Sequence, residues 1–364
     1  MTFESFKHLA KSYTAIPVYR QLLADTLTPV SLFLNIREGS FMPFLFESVE
    51  GGDQLARYSF LGCNPYQHLH FDGNLTWLEQ KNGDRVEHSS YFEALKKYTN
   101  EYREPSIPGL PRLTGGAVGY SSYDTFREVE YLPNVPPDDL GLPEAVWGFY
   151  DEIYAFDHVK HQILLIHTVR IDEDIDSAQM NEQRLSEWYH QAQEALDLME
   201  AKVHRGIAKG AAFEISPDHI KSNMQQDYFT HIVEKAKHHI YEGDIFQVVL
   251  SQRFETPCTG DTFMLYRALR MVNPSPYLFY LDFKEFQIVG SSPEVLVSVQ
   301  DRKVRVLPIA GTRKRGETFE EDLRLEEDLK QDPKEMNAIF YKSKSTARQN
   351  DEKKTCELVS KLLK

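Results

Sequence analysis

The chain has 364 residues, 41% hydrophobic and 26% charged, a composition that supports a sizeable buried core and excludes a largely disordered protein. Forty-one basic against fifty-five acidic residues give a formal net charge of −14, which opposes general binding to nucleic acid or an anionic membrane surface and leaves any anionic substrate in need of a local basic pocket. The opening MTFESFKHLAKSYTAIPVYR lacks the pattern of a secretory leader and no apolar run reaches membrane-spanning length, so a cytoplasmic protein is expected.

The three cysteines, Cys63, Cys258 and Cys356, are far apart and without CxxC spacing, so reduced thiols are expected, not a disulfide frame or a zinc site. From Val30 to Thr168 short apolar segments alternate with Gly, Pro and Asn punctuation. Strands are predicted at VSLFLNI, MPFLFES, ARYSFLG, YQHLHF, TGGAVGY, DEIYAFD and HQILLIH, together an antiparallel β-rich lobe. Leu185, Trp188, Tyr189, Ala192, Leu196, Met199 and Val203 then recur on one helical face. The aperiodic RGIAKGAAFEISPDH reads as a linker, with a boundary between Ala211 and Asn223.

Beyond it, Ser222 to Gln225 forms a possible capping box before a helix that Gly243 stops. DIFQVVLSQRF is predicted as a strand that aligns Gln247, Ser251 and Arg253 on one face. Asp261 caps a second helix ending at Val272. YLFYLDF, FQIVG, VLVSV and KVRVLPI follow as strands, and Thr318 with Glu321 caps an acidic helix. The expected division is a first lobe over residues 1–210, a second over 223–335 and a tail over 336–364.

Walker, HExxH, GxSxG and GxGxxG signatures are absent. Gly115-Gly116-Ala117-Val118-Gly119 is read as a strand that needs small residues, because no helix pattern follows it. His68 and His70 share a strand face without a third metal ligand nearby, and His231, His238 and His239 lie on a helix as ordinary surface histidines. In Gly290-Ser291-Ser292-Pro293-Glu294 a carboxylate follows a tight turn, where an acid can be held half-desolvated as a proton donor; a plain turn is the simpler account on composition alone. Gly311 and Thr312 offer backbone N–H groups and a hydroxyl beside Arg313, Lys314 and Arg315, a turn suited to a carboxylate.

GDIFQVVLSQRF, NPSPYLFYLDF, VGSSPEVLVSV, LPIAGTRKRG and DPKE occur in the order found in chorismate-utilising enzymes. The chain resembles that family, and within it the anthranilate synthase component I type; FLFESVEGGDQLARYSFLG and GGAVGYSSYD are similar to the regulatory half of such proteins. The resemblance implies an α+β fold of antiparallel sheets packed as a sandwich with helices outside, its C-terminal portion incomplete. It also implies attack of ammonia on chorismate with loss of the C4 hydroxyl, then elimination of pyruvate to give anthranilate. Glu294 is implied as the general acid, Gln247 as the neutral amide that positions ammonia, and Gly311 and Thr312 as substrate contacts. Isochorismate and salicylate synthases carry a lysine at the Gln247 position, and aminodeoxychorismate synthases carry one where this chain has Ala310, so the aminating anthranilate route is favoured over both.

Tryptophan feedback is implied at Glu47, Ser48, Asn273, Pro274, Tyr277 and Leu278. Leu278 stands where the family commonly shows Met, a volume-conserving change. Without the resemblance, Glu47 and Ser48 simply end a strand. A glutamine amidotransferase subunit is the implied partner and Mg²⁺ the implied ion. After Glu335 the similarity lapses: Ala338 stands at the position of a metal glutamate and Ile339 at that of the following histidine. The expected metal ligands are therefore missing, the chain is read as a shortened member with impaired chemistry, and the alternatives are a non-catalytic fragment that binds tryptophan and the amidotransferase, and an aminodeoxychorismate synthase component I.

Overall fold

The structure, a computed structural model, describes residues 1–48, 57–171, 181–206, 210, 212–245, 247–300, 303–305, 314 and 316–331. They fall into two compact units. Unit 1 holds Met1–Gly210 and Leu265–Glu294, and unit 2 holds Ala211–Met264 and the described residues from Val295 on.

Unit 1 begins with α1 (Phe3–Leu9), β1 (Ala15–Leu23), α2 (Pro29–Arg37), β2 (Phe44–Glu47), β3 (Tyr58–Gly62), β4 (Gln67–Phe71), β5 (Thr76–Gln80), β6 (Arg85–His88) and α3 (Tyr91–Thr99). It continues with β7 (Gly116–Ser121), β8 (Ala145–Tyr150), β9 (Glu152–Asp157), β10 (Gln162–Arg170) and α4 (Glu182–Val203). Unit 2 contributes β11 (Phe213–Ile215), β12 (Lys221–Ser222), α5 (Gln226–Glu242), β13 (Phe254–Glu255) and β14 (Cys258–Gly260). Then come α6 (Phe263–Val272), β15 (Tyr277–Asp282) and β16 (Gln287–Ser292), which from Leu265 on belong to unit 1, and β17 (Ser298–Gln300), β18 (Lys303–Arg305) and α7 (Phe319–Lys330).

Two antiparallel sheets build unit 1. A seven-stranded sheet runs β1-β10-β9-β3-β2-β15-β16 and a five-stranded one β6-β5-β4-β8-β7. One buried cluster unites Phe44, Ile153, Ala155, Leu164 and Ile166 of the larger sheet with Val118 and Tyr150 of the smaller, the sandwich expected when each sheet has one apolar face to hide. Each large apolar side chain so buried contributes about 1.5–3 kcal/mol. Tyr91, Ala94 and Tyr98 of α3 cover Leu69, Leu78 and Phe149 on the smaller sheet. The α4 helix packs on β10 and β1 and buries Leu185, Ala192, Leu196, Met199 and Val203, the stripe expected from its 3.6-residue spacing.

Of the seven strands predicted in this lobe, VSLFLNI is a helix instead. Thr28 and Ser31 form a reciprocal capping box and Pro29 occupies the first turn, so end chemistry outweighs the β-preference of the apolar run. The glycines of β7 are needed where they stand: a Cβ at Gly119 would lie 2.0 Å from the Val146 carbonyl oxygen.

In unit 2, α5 ends at Gly243 with φ 81° as expected, but Gln225 is its N-cap without a side-chain bond. Ser222 sits instead in β12, and its Oγ bonds the Met224 backbone at 2.7 Å. Of DIFQVVLSQRF only Phe254 is strand, opposite Ser222 of β12; its other described residues are irregular, and an apolar run outside a ladder does not hold an extended form. Thr318 caps α7 through the Glu321 N–H, as predicted.

Candidate functional site

Phe44 and Leu45 anchor β2 at zero exposure, and the strand ends on Glu47, which is 4% exposed. On one side β2 pairs with β3, and on the other with β15, in the register Glu47 opposite Leu278. A carboxylate this deep requires hydrogen-bond donors, because desolvating it alone is costly.

Helix α6 supplies both. Tyr266 and Arg270 are four residues apart and so share a helix face. The Tyr266 hydroxyl donates to Glu47 Oε2 at 2.6 Å and Arg270 Nε donates to the same oxygen at 3.1 Å. Burial, and then the neighbouring Glu47 charge, push the Tyr266 phenol well above its ordinary pKa, so it keeps its proton and acts as a donor. Its ring meets Tyr280 edge-on at 6.0 Å, and Tyr280 meets Phe33 at 5.5 Å, which fixes the phenol by packing. His158 lies within electrostatic reach of Glu47; burial lowers its pKa more than the acid raises it.

Asn273-Pro274-Ser275-Pro276 ends α6, and prolines at this spacing forbid its continuation. The Asn273 N–H closes the last helical turn onto the Leu269 carbonyl at 2.8 Å, and the Asn273 carbonyl accepts from Ser291 Oγ at 2.7 Å. Ser275 is 4% exposed, and its hydroxyl has no hydrogen-bond partner among the described residues. Tyr277 is half-buried and Leu278 is 1% exposed.

The structure thus brings Glu47 and Leu278 into register, with Ser48 and Tyr277 next to them in sequence and Asn273 and Pro274 on the turn that feeds β15. Tyr266, Arg270 and Ser275 were not anticipated. Their only signals were the four-residue spacing on a short helix and a serine between two prolines, neither of which names a partner 219 positions away.

The residues implied for catalysis are placed differently. Glu294 follows β16 and is exposed, not half-desolvated, because no described element covers the turn; its backbone carbonyl accepts from Ser292 Oγ at 3.0 Å. Gln247 is exposed in unit 2, in irregular backbone. Gly311 and Thr312 lie outside the described residues, as does Ala310. Among the described residues no cluster of three His, Cys, Asp or Glu side chains could hold a metal ion.

Two other groupings in unit 1 involve none of the implied residues. A cavity of about 120 Å³ is lined by Tyr66, Tyr98, Asp151, Thr168 and Arg170 among others; Arg170 spans it, 3.4 Å over the Tyr66 ring and 3.3 Å from Asp151 Oδ2. On β4, the imidazoles of His68 and His70 are hydrogen-bonded at 2.6 Å, with His70 stacked on Trp77 at 5.0 Å.

The sequence profile of chorismate binding enzymes matches residues 43–337. The chain belongs to this family. Among its relatives, anthranilate synthase component 1 of Acetivibrio thermocellus is 42% identical over 338 residues, covering 92% of this chain and 67% of that protein. Anthranilate synthase alpha subunit 2, chloroplastic, of Arabidopsis thaliana is 38% identical and matches 92% of this chain and 56% of its own length. The crystal structure of anthranilate synthase component I from Streptococcus pneumoniae TIGR4 superimposes with a TM-score of 0.58 at 29% identity, over 80% of this chain and 60% of that one. The family member described here thus spans only part of the length of each of these three proteins.

Proposed function

We propose that the chain acts as the large-subunit type of anthranilate synthase, joining ammonia to chorismate and releasing anthranilate and pyruvate. The observation that carries this is the similarity to proteins of that name along 92% of the chain, combined with a neutral amide at Gln247 and Ala310 at the two positions that separate the aminating route from its relatives. Ammonia would come from glutamine through an amidotransferase subunit, in the cytoplasm. Gln247 would orient ammonia toward C2 of the ring. Glu294 would donate its proton to the departing C4 hydroxyl, which leaves as water. Elimination of the enolpyruvyl group with loss of the C2 proton would then yield the aromatic product. Gly311 and Thr312 would hold the ring carboxylate, and Glu47, Ser48, Asn273, Pro274, Tyr277 and Leu278 would form the tryptophan feedback site.

The experiment is fluorescence detection of anthranilate from purified protein, chorismate, Mg²⁺ and an ammonium salt, which dispenses with the amidotransferase. Sustained product suppressed by tryptophan would bear this reading out and overturn the expectation of impaired chemistry. A second reading, a non-catalytic module that keeps tryptophan and amidotransferase binding, is favoured by the exposure of both Gln247 and Glu294. Folded protein that binds tryptophan but forms no anthranilate would select it.

A further inference from the structure

We propose that Tyr266 and Arg270 are positioning residues, which hold Oε2 of Glu47 so that Oε1 is presented to the ammonium group of the effector amino acid. The proposal rests on the reading of Glu47 as part of a tryptophan site and adds the device that makes that carboxylate a selective acceptor.

Both hydrogen bonds to the Glu47 side chain fall on one oxygen, and the side chain is 2% exposed. A carboxylate on a free terminal torsion presents its two oxygens interchangeably; two donors converging on one of them remove that freedom. The other oxygen then points one way and carries the remaining acceptor capacity in a place with little water to compete for it. The two donors differ in kind. Tyr266 is fully buried and wedged against Tyr280, a rigid neutral donor. Arg270 keeps 39% of its side chain exposed and supplies the charge that makes the buried acid tolerable. Their common helix leads into the turn whose Ser275 hydroxyl is buried without a partner among the described residues, an independent sign of a polar group awaiting a ligand along the same connection.

The test is calorimetric titration of the full chain with L-tryptophan and with indole-3-propionate, which keeps the ring and carboxylate but lacks the ammonium group. The wild-type protein is expected to prefer L-tryptophan. Tyr266→Phe, which keeps the ring, should weaken L-tryptophan about tenfold, the loss of one hydrogen bond to a charged group, and leave indole-3-propionate within about twofold. Arg270→Gln should act in the same direction and Arg270→Lys should restore part of the loss. Because Arg270 is partly exposed, its variants keep the test sharp should Tyr266→Phe fold poorly. Unchanged L-tryptophan affinity in both Tyr266→Phe and Arg270→Gln, or equal weakening of the two ligands, overturns the positioning role while the tryptophan site stands. Absence of L-tryptophan binding by the wild-type protein overturns the site itself, and the clamp with it.

Discussion

Glu47 is a charged side chain at the end of a strand that opens with Phe44 and Leu45 at zero exposure, and single-atom changes there are informative. Glu47→Gln keeps the volume and removes the charge; on the proposed reading it should weaken L-tryptophan by tenfold or more, measured by titration. Leu278→Met, opposite it in the ladder, should change that affinity by less than about threefold, because volume and apolarity are kept. Gly119→Ala is a different kind of change. Its new methyl would meet the Val146 carbonyl at 2.0 Å and the Trp147 Cα at 2.7 Å, so β7 and β8 must part locally, at a cost of about 1–3 kcal/mol that urea unfolding would register as a lower midpoint. The need for small residues in that stretch was legible in the sequence. The roles of Tyr266 and Arg270 were not, because a helix face shows which residues point the same way and not what they meet.

Elements with strong periodicity were the legible ones. The buried stripe of α4 follows from its spacing, and β9 and β10, buried almost throughout, from short apolar runs bounded by turn residues. The α2 helix was misread because its apolar run satisfies either period, and the decision lies in Thr28, Pro29 and Ser31 at its entrance. DIFQVVLSQRF fails in the opposite sense: it has the composition of a strand, yet of its described residues only Phe254 lies in a ladder. At this scale the β4–β5 face carries a pH prediction. Burial, then the nearby His68 and Arg85, push the His70 imidazole down to about 4 from its ordinary 6.5, and burial lowers His68 against the pull of Glu79. The folded state therefore favours neutral imidazoles. Their contribution to stability is complete above about pH 6.5 and is lost as pH falls toward 4. Thermal melts across that window should fall more steeply for the wild-type chain than for His70→Gln.

Across the whole molecule, the two units differ in how much they bury. Strands β9 and β10 hold Ile153, Ala155, Ile163, Leu165 and Ile166 at zero exposure, whereas α5 buries no residue and leaves Tyr228, Ile240 and Tyr241 exposed. Hydrogen exchange followed by mass spectrometry should show amides of β9 and β10 protected to near the global limit and those of α5 exchanging orders of magnitude faster. Equal protection would mean that α5 is covered in solution. The larger sheet also imposes an order of events during synthesis. Its strand β2 is translated early, yet one edge of it is satisfied only by β15, with Glu47 waiting for Leu278. While the ribosome works through the intervening residues, that edge is open, and an open edge invites foreign strands. Completion of the first unit is therefore a late, post-linker event. Pausing translation before Tyr277 should leave a nascent chain that engages edge-binding chaperones, and letting it proceed past Ser292 should release it.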